Sequence, residues 1–287
     1  MANPIQVIGY FIRHRQALRS PEDYAVVLRK NTADPFIATL ISRAQQAGAF
    51  PQEPDNGWRY DFTRLPMHDK LCEYYSLDKI AGQGSAFERS LRIMDWLCAH
   101  TYYSGISVQS WLLGAWASTS LALRLAYGGP FRRSVNCIHK AAILSDCLLA
   151  AGVVAMPCFI VHGGFKHRVV HVWLPEESRW VMLDPSFNSY IIDNEGRVLH
   201  LIEIQRKHRA GEAMHVAQYH LNGTQDCREI YLDGFILNCL LEIEVYNGTG
   251  SKRKGPRNRL VPEGVEPRDA KLRAITTMEL LAPPNSI

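Results

Sequence analysis

Several patterns that would narrow the function are missing from the 287-residue chain. Its seven cysteines, Cys72, Cys98, Cys137, Cys147, Cys158, Cys227 and Cys239, are odd in number and include no CxxC pair. Neither a disulfide framework nor a zinc knuckle is suggested, so reduced thiols are expected. No stretch reaches the ~20 apolar residues that a transmembrane helix needs. The N-terminal apolar run is soon broken by Arg13 and Arg15, which does not fit a signal peptide, and a cytoplasmic protein without membrane association is expected. There is no GxGxxG after a strand, no P-loop and no EF-hand loop, so no nucleotide, calcium or other cofactor is implied. A metal site built from Cys137, His139, Cys147 and Cys158 lacks paired ligand spacing, and no metal is expected. The net charge of +4 depends on one cluster, Lys252, Arg253, Lys254, Arg257 and Arg259. No aromatics are interleaved there, so the cluster reads as a solvated loop and nucleic acid is not expected as a partner.

What is present is an ordinary globular composition, 47% apolar and 21% charged, enough for a sizeable core. Asp34-Pro35 reads as a helix start, with Phe36, Leu40, Ile41 and Ala44 on one stripe. Residues 50–69 are rich in Pro, Gly, Asp and Asn and form the best candidate boundary. Ser85 to Glu88 is a capping box opening a helix that carries Phe87, Leu91, Met94, Leu97 and Cys98 and ends near His100. Val108 to Tyr127 is apolar nearly all round, a buried helix stopped at Gly128-Gly129-Pro130. Three regions follow: 1–69, helical and loop-rich; 70–246, a core; and 247–287, a basic loop and tail.

The chemistry concentrates between Asn136 and Asn188. Asn136 is a plausible N-cap, which puts Cys137 in the first turn of a helix that Gly152 ends. Free N–H groups and the positive end of the helix dipole favour a thiolate there. Val153–Val161 reads as a buried strand, followed by a loop with Gly163 and Gly164. Arg168–Leu174 and Trp180–Leu183 then form a hairpin turning at Pro175–Ser178. With the turn near Glu176 and Glu177, His171 and Asp184 are expected as cross-strand neighbours. His162 and His167 flank the glycine loop and compete with His171 for the base role. His171 is preferred because it lies within the hairpin and has the Asp partner. Cys137, His171 and Asp184 then supply a nucleophile, a base and an orienter.

This order, with His171-Val172-Trp173 and Trp180-Val181-Met182-Leu183-Asp184-Pro185 around the last two members, resembles the transglutaminase-like superfamily. The resemblance covers about 50 of the 287 residues. It implies an α+β, cysteine-protease-like core in which the nucleophile helix packs on an antiparallel sheet behind a helical N-terminal region. It also implies thiol-dependent acyl transfer or hydrolysis at an amide or thioester, with a peptide, protein or small-molecule acyl donor and an amine or water as acceptor. The second oxyanion donor of that family comes from an upstream element, where Trp111 or Gln109 stand here. Ile138 replaces the aromatic residue often found after the nucleophile, and Gly152-Val153-Val154-Ala155-Met156 replaces Gly-Ile-Pro-Ala-Arg. Both departures bear on the substrate. An arylamine N-acetyltransferase-like acyltransferase and a non-catalytic binding scaffold of the same fold are the competing readings.

Overall fold

The computed structural model describes residues 46–52, 55–103, 134–162, 165–218, 242–249, 257–265 and 271–284, with 123, 127 and 267. The expected stripe from Phe36 to Ala44, most of the helix from Val108 to Tyr127, the Gly163-Gly164 loop, Cys227, Cys239 and the Lys252–Lys254 charges lie outside the described residues. Three helices open the described part: α1 (Pro66–Tyr75), α2 (Leu77–Ala81) and α3 (Ala86–His100). Strands β1 (Tyr102–Tyr103) and β2 (Ser134–Val135) pair in parallel, and helix α4 (Cys137–Ala150) follows. Strands β3 (Ala155–His162), β4 (Phe165–Leu174), β5 (Arg179–Asp184) and β6 (Ser189–Asp193) come next, then helix α5 (Leu201–Arg209) and strand β7 (Met214–Ala217). Strands β8 (Glu242–Val245), β9 (Asn258–Leu260) and β10 (Arg273–Ala274) precede helix α6 (Thr277–Leu280).

The fold is mixed α+β, built on an eight-stranded sheet in the order β10-β9-β8-β3-β4-β5-β6-β7. All its pairings are antiparallel except β10 with β9. One core holds Val170, Val172, Val181 and Leu183 of the sheet with Ile143, Leu144 and Leu148 of α4, and with residues of α1, α2 and α3. The alternate residues of the same strands, Val169, Met182 and Trp180, enter a second core with Phe50, Trp58, Tyr60 and Phe62 and with α5 and α6. This division follows from the period-2 alternation of strand side chains. Helix α4 is buried nearly all round. Ile143, Leu144 and Leu148 have no exposure, and each such side chain contributes about 1.5–3 kcal/mol.

Two helix ends form as their sequences direct. Ser85 accepts from the Glu88 backbone N–H while the Glu88 carboxylate takes the Ser85 N–H at 2.9 Å. Glu176, in the turn between β4 and β5, accepts the next free N–H, that of Ala86, at 2.7 Å, tying the hairpin to α3. At the end of α4, Gly152 adopts φ +76°. Its N–H donates to the Leu149 carbonyl at 3.1 Å and the Val153 N–H to that of Leu148 at 2.8 Å. This left-handed closure turns the chain straight into β3, as glycine allows.

The divisions at residues 69 and 246 do not coincide with packing. Helix α1 crosses residue 69, and the segment expected to be a basic loop adds β9 to the sheet and Leu260 to the second core, while the tail from Ala270 to Leu281, readable as a final strand or helix, supplies β10, α6, Ile275 and Leu280. Backbone pairing with β8 makes β9 a strand in spite of its polar, charged sequence. Within the expected solvated basic cluster, Arg257 instead pairs with the buried carboxylate of Glu244.

Candidate active site

Three elements converge on Cys137. It is the first residue of α4, preceded by Asn136 in extended conformation (φ −84°, ψ 174°). The Asn136 side-chain oxygen accepts the His139 backbone N–H at 3.1 Å and contacts His139 Nδ1 at 2.9 Å. That cap starts the helix at the cysteine, so the N–H of Cys137 is one of the first-turn donors with no partner inside the helix. Cys137 is half-buried and packs against the core that contains Val169, Met182 and Phe187.

The histidine brought to Cys137 is His167. It is 2% exposed, lies in β4, and its Nε2 is 2.7 Å from Oδ2 of the fully buried Asp184. The Cys137 thiol hydrogen-bonds to His167 as well. Since Asp184 occupies Nε2, Nδ1 is the ring nitrogen left for the thiol. Asp184 accepts a second bond from the Ser186 N–H at 2.9 Å, which fixes the carboxylate in the tight turn that follows β5.

The electrostatics follow this chain of contacts. Burial alone would discharge His167, but the charge and hydrogen bond of Asp184, and then those of Cys137, outweigh it and hold the imidazole at about 10. Burial likewise works against a Cys137 thiolate. It is overcome by the hydrogen bond and charge of His167, by the Arg168 backbone N–H and by the Arg168 guanidinium, so the thiol is held below its ordinary value. Cys98, Cys147 and Cys158 behave in the opposite way: burial raises each of them. Both shifts act in one direction, toward a charged Cys137–His167 pair beside the Asp184 carboxyl.

His171, expected as the base, is not brought to this group. The turn at 175–178 pairs Leu174 with Arg179, so His171 stands opposite Met182. That register continues to set Asp184 level with Val169, two places from His167 and two from His171 on the same strand face. The observed register differs from the expected one by two residues, because the turn is centred between Glu176 and Glu177, one residue earlier than a 171–184 pairing needs, which carries Asp184 two residues further back along β4. His171 has no exposure, its ring centroid is 6.4 Å from that of Trp180, and neither ring nitrogen has a hydrogen-bond partner. Burial, and then the charge of His200, push its pKa down to about 3, so it is a neutral core residue. The signal that favours His167 was present in the sequence: extending the strand back to Phe165 makes His167 a strand residue on the face of His171.

Arg168 was not singled out from the sequence. Its guanidinium donates to the Ile138 carbonyl at 3.1 Å and to the Tyr246 hydroxyl at 3.3 Å, and lies 3.8 Å over the Phe159 ring. Trp111 and Gln109, suggested as oxyanion donors, lie outside the described residues, as does the loop before Phe165. Among the described residues, no group of three or more His, Cys, Asp or Glu side chains could hold a metal ion, and no helix is long and apolar enough to cross a membrane. Compared with protein-family models, curated proteins and solved structures, the chain finds no match.

Proposed function

We propose that the protein is a cysteine-dependent acyltransferase or hydrolase of transglutaminase-like type, acting on an amide or thioester. The observation that carries this reading is the continuous chain from the Cys137 thiol through His167 to Asp184, with the 2.7 Å contact between the last two. The Cys137 thiolate attacks the carbonyl carbon of the donor. The helix-terminal amide of Cys137 donates to the developing oxyanion. His167, already protonated, gives its Nδ1 proton to the departing amine or thiol as the tetrahedral intermediate collapses to a thioester on Cys137. A water or amine, deprotonated by the now neutral His167, resolves the thioester and returns the enzyme to its starting state. Asp184 holds the ring in one orientation and stabilises the imidazolium. The acceptor, water or amine, distinguishes hydrolysis from transfer and is not fixed by these three residues.

An activated ester offered to the protein tests the reading. A single acyl adduct on Cys137, found by intact mass and peptide mapping, with a burst of leaving group equal to the protein concentration, is the expected result. Acylation spread over Cys72 and surface amines, with Cys137 unmodified, would favour a binding scaffold that keeps the fold without the chemistry.

A further inference from the structure

We propose that Arg168 is a positioning residue that clamps the first turn of the nucleophile helix to the strand carrying the base, and so sets the Cys137–His167 pair. The inference rests on the acyl-transfer reading above and adds a fourth residue to it. Positions 167 and 168 are consecutive in β4, so their side chains leave the strand on opposite faces. His167 reaches the thiol of Cys137, and Arg168 reaches the carbonyl of the next helix residue, Ile138, at 3.1 Å. One strand therefore holds the start of the helix at two adjacent residues.

The guanidinium is itself tightly placed. It is 4% exposed in the folded chain, and Phe159, over whose ring it lies at 3.8 Å, is its direct cross-strand partner in β3. Tyr246, just past β8, accepts from it at 3.3 Å and offers a second ring face at 5.4 Å. Ile138 packs its side chain into the same small cluster of Phe159, Val161 and Tyr246. A buried guanidinium is costly to place unless its donors and charge are matched. Here two aromatic faces and a helix carbonyl supply part of that match. The planar fork that stacks and donates in two directions is specific to arginine, and a lysine ammonium cannot reproduce it. Among the described residues, the charged groups acting on the Cys137 thiol are His167 and Arg168, both from β4.

The test reads the pH dependence of Cys137 alkylation in the full chain, in the wild type, R168K, R168M and Y246F, each with and without H167A. The clamp predicts that R168M raises the midpoint of the Cys137 titration by about one pH unit. It also predicts that R168M shrinks the rate loss caused by H167A at least tenfold, because the pair that H167A breaks is no longer formed. R168K, which keeps the charge without the fork, recovers less than half of that coupling. Y246F, a mild change that preserves the core, moves the midpoint in the same direction by a smaller amount and serves if R168M does not fold. If the wild-type midpoint is depressed and every Arg168 and Tyr246 variant keeps both that midpoint and the full H167A effect, Arg168 is only structural and the clamp is overturned. If the wild-type thiol titrates like an ordinary cysteine and H167A changes nothing, the acyl-transfer reading itself has failed.

Discussion

Strand β4 carries two buried histidines four residues apart on the same face, His167 at 2% exposure and His171 at none. They differ in what surrounds them. His167 has a carboxylate on one ring nitrogen and a thiol for the other, and its proton is held up to about 10. His171 lies near Trp180, opposite Met182, with no hydrogen-bond partner, and stays neutral down to about 3. The same side chain is thus a charged, partnered group at one end of a hairpin and an apolar filler toward the other. The position of a single carboxylate, Asp184, decides between the two environments. Desolvation acts on both rings in the same direction, and only a partner charge reverses it.

The largest expected effect comes from removing the partnered histidine. His167→Ala is expected to slow Cys137 alkylation near neutral pH by about 100-fold or more, since the thiolate loses its counter-charge. His171→Met, placed between Met156 and Met182, is expected to leave that rate within about twofold. Competitive labelling followed by peptide mapping reads both, and the reverse ranking would break the comparison.

A second change weakens the charged environment without emptying it. Asp184→Asn is expected to lower the His167 pKa by about 1–3 units, so the alkaline limb of an activity profile moves to lower pH. An unmoved limb would show that Asp184 does not act through the imidazole.

The unpartnered histidine should be felt in stability. An unfolded chain binds a proton at His171 near pH 6.5, but the folded chain does not until about 3, so folding stability is present above 6.5 and is lost as pH falls through that window. The slope approaches roughly 1.4 kcal/mol per pH unit for this one group. His200, also held near 3 by burial and then by the charges of Arg179, Arg206 and Arg197, adds to it. His171→Met is expected to remove about half of the loss, seen in urea titrations between about pH 6 and 4. His167 has the opposite sign: its contribution is complete below 6.5 and is lost as pH rises through about 10. The smallest effect is a control far from both rings: Ser85→Ala at the α3 cap should cost about 1 kcal/mol of stability and leave Cys137 labelling unchanged.

Local signals in the sequence were sufficient where the cause is local. The Asn136 cap, the start of α4 at Cys137, the Gly152 closure and the Ser85–Glu88 box all follow from a few neighbouring residues, and each stands where its residues direct. The hairpin and its turn were also legible. What failed was the register, because a face-preserving slip of two residues leaves every apolar and polar alternation intact while exchanging one histidine for another. The strand β9 and the clamp by Arg168 were hidden for a different reason. Both depend on partners far along the chain, Glu244 in β8 for one and Tyr246 for the other, and nothing within a short window encodes those contacts.

The central claim, that Cys137 is a thiolate paired with His167, is tested most directly by the rate of Cys137 alkylation from about pH 4 to 10 in wild type, H167A and H171M. The account predicts a midpoint clearly below the ordinary thiol value of about 8.5 in wild type and in H171M, and an upward shift with a large loss of rate at neutral pH in H167A. A Cys137 that titrates as an ordinary thiol, or one that responds to H171M and ignores H167A, would contradict it.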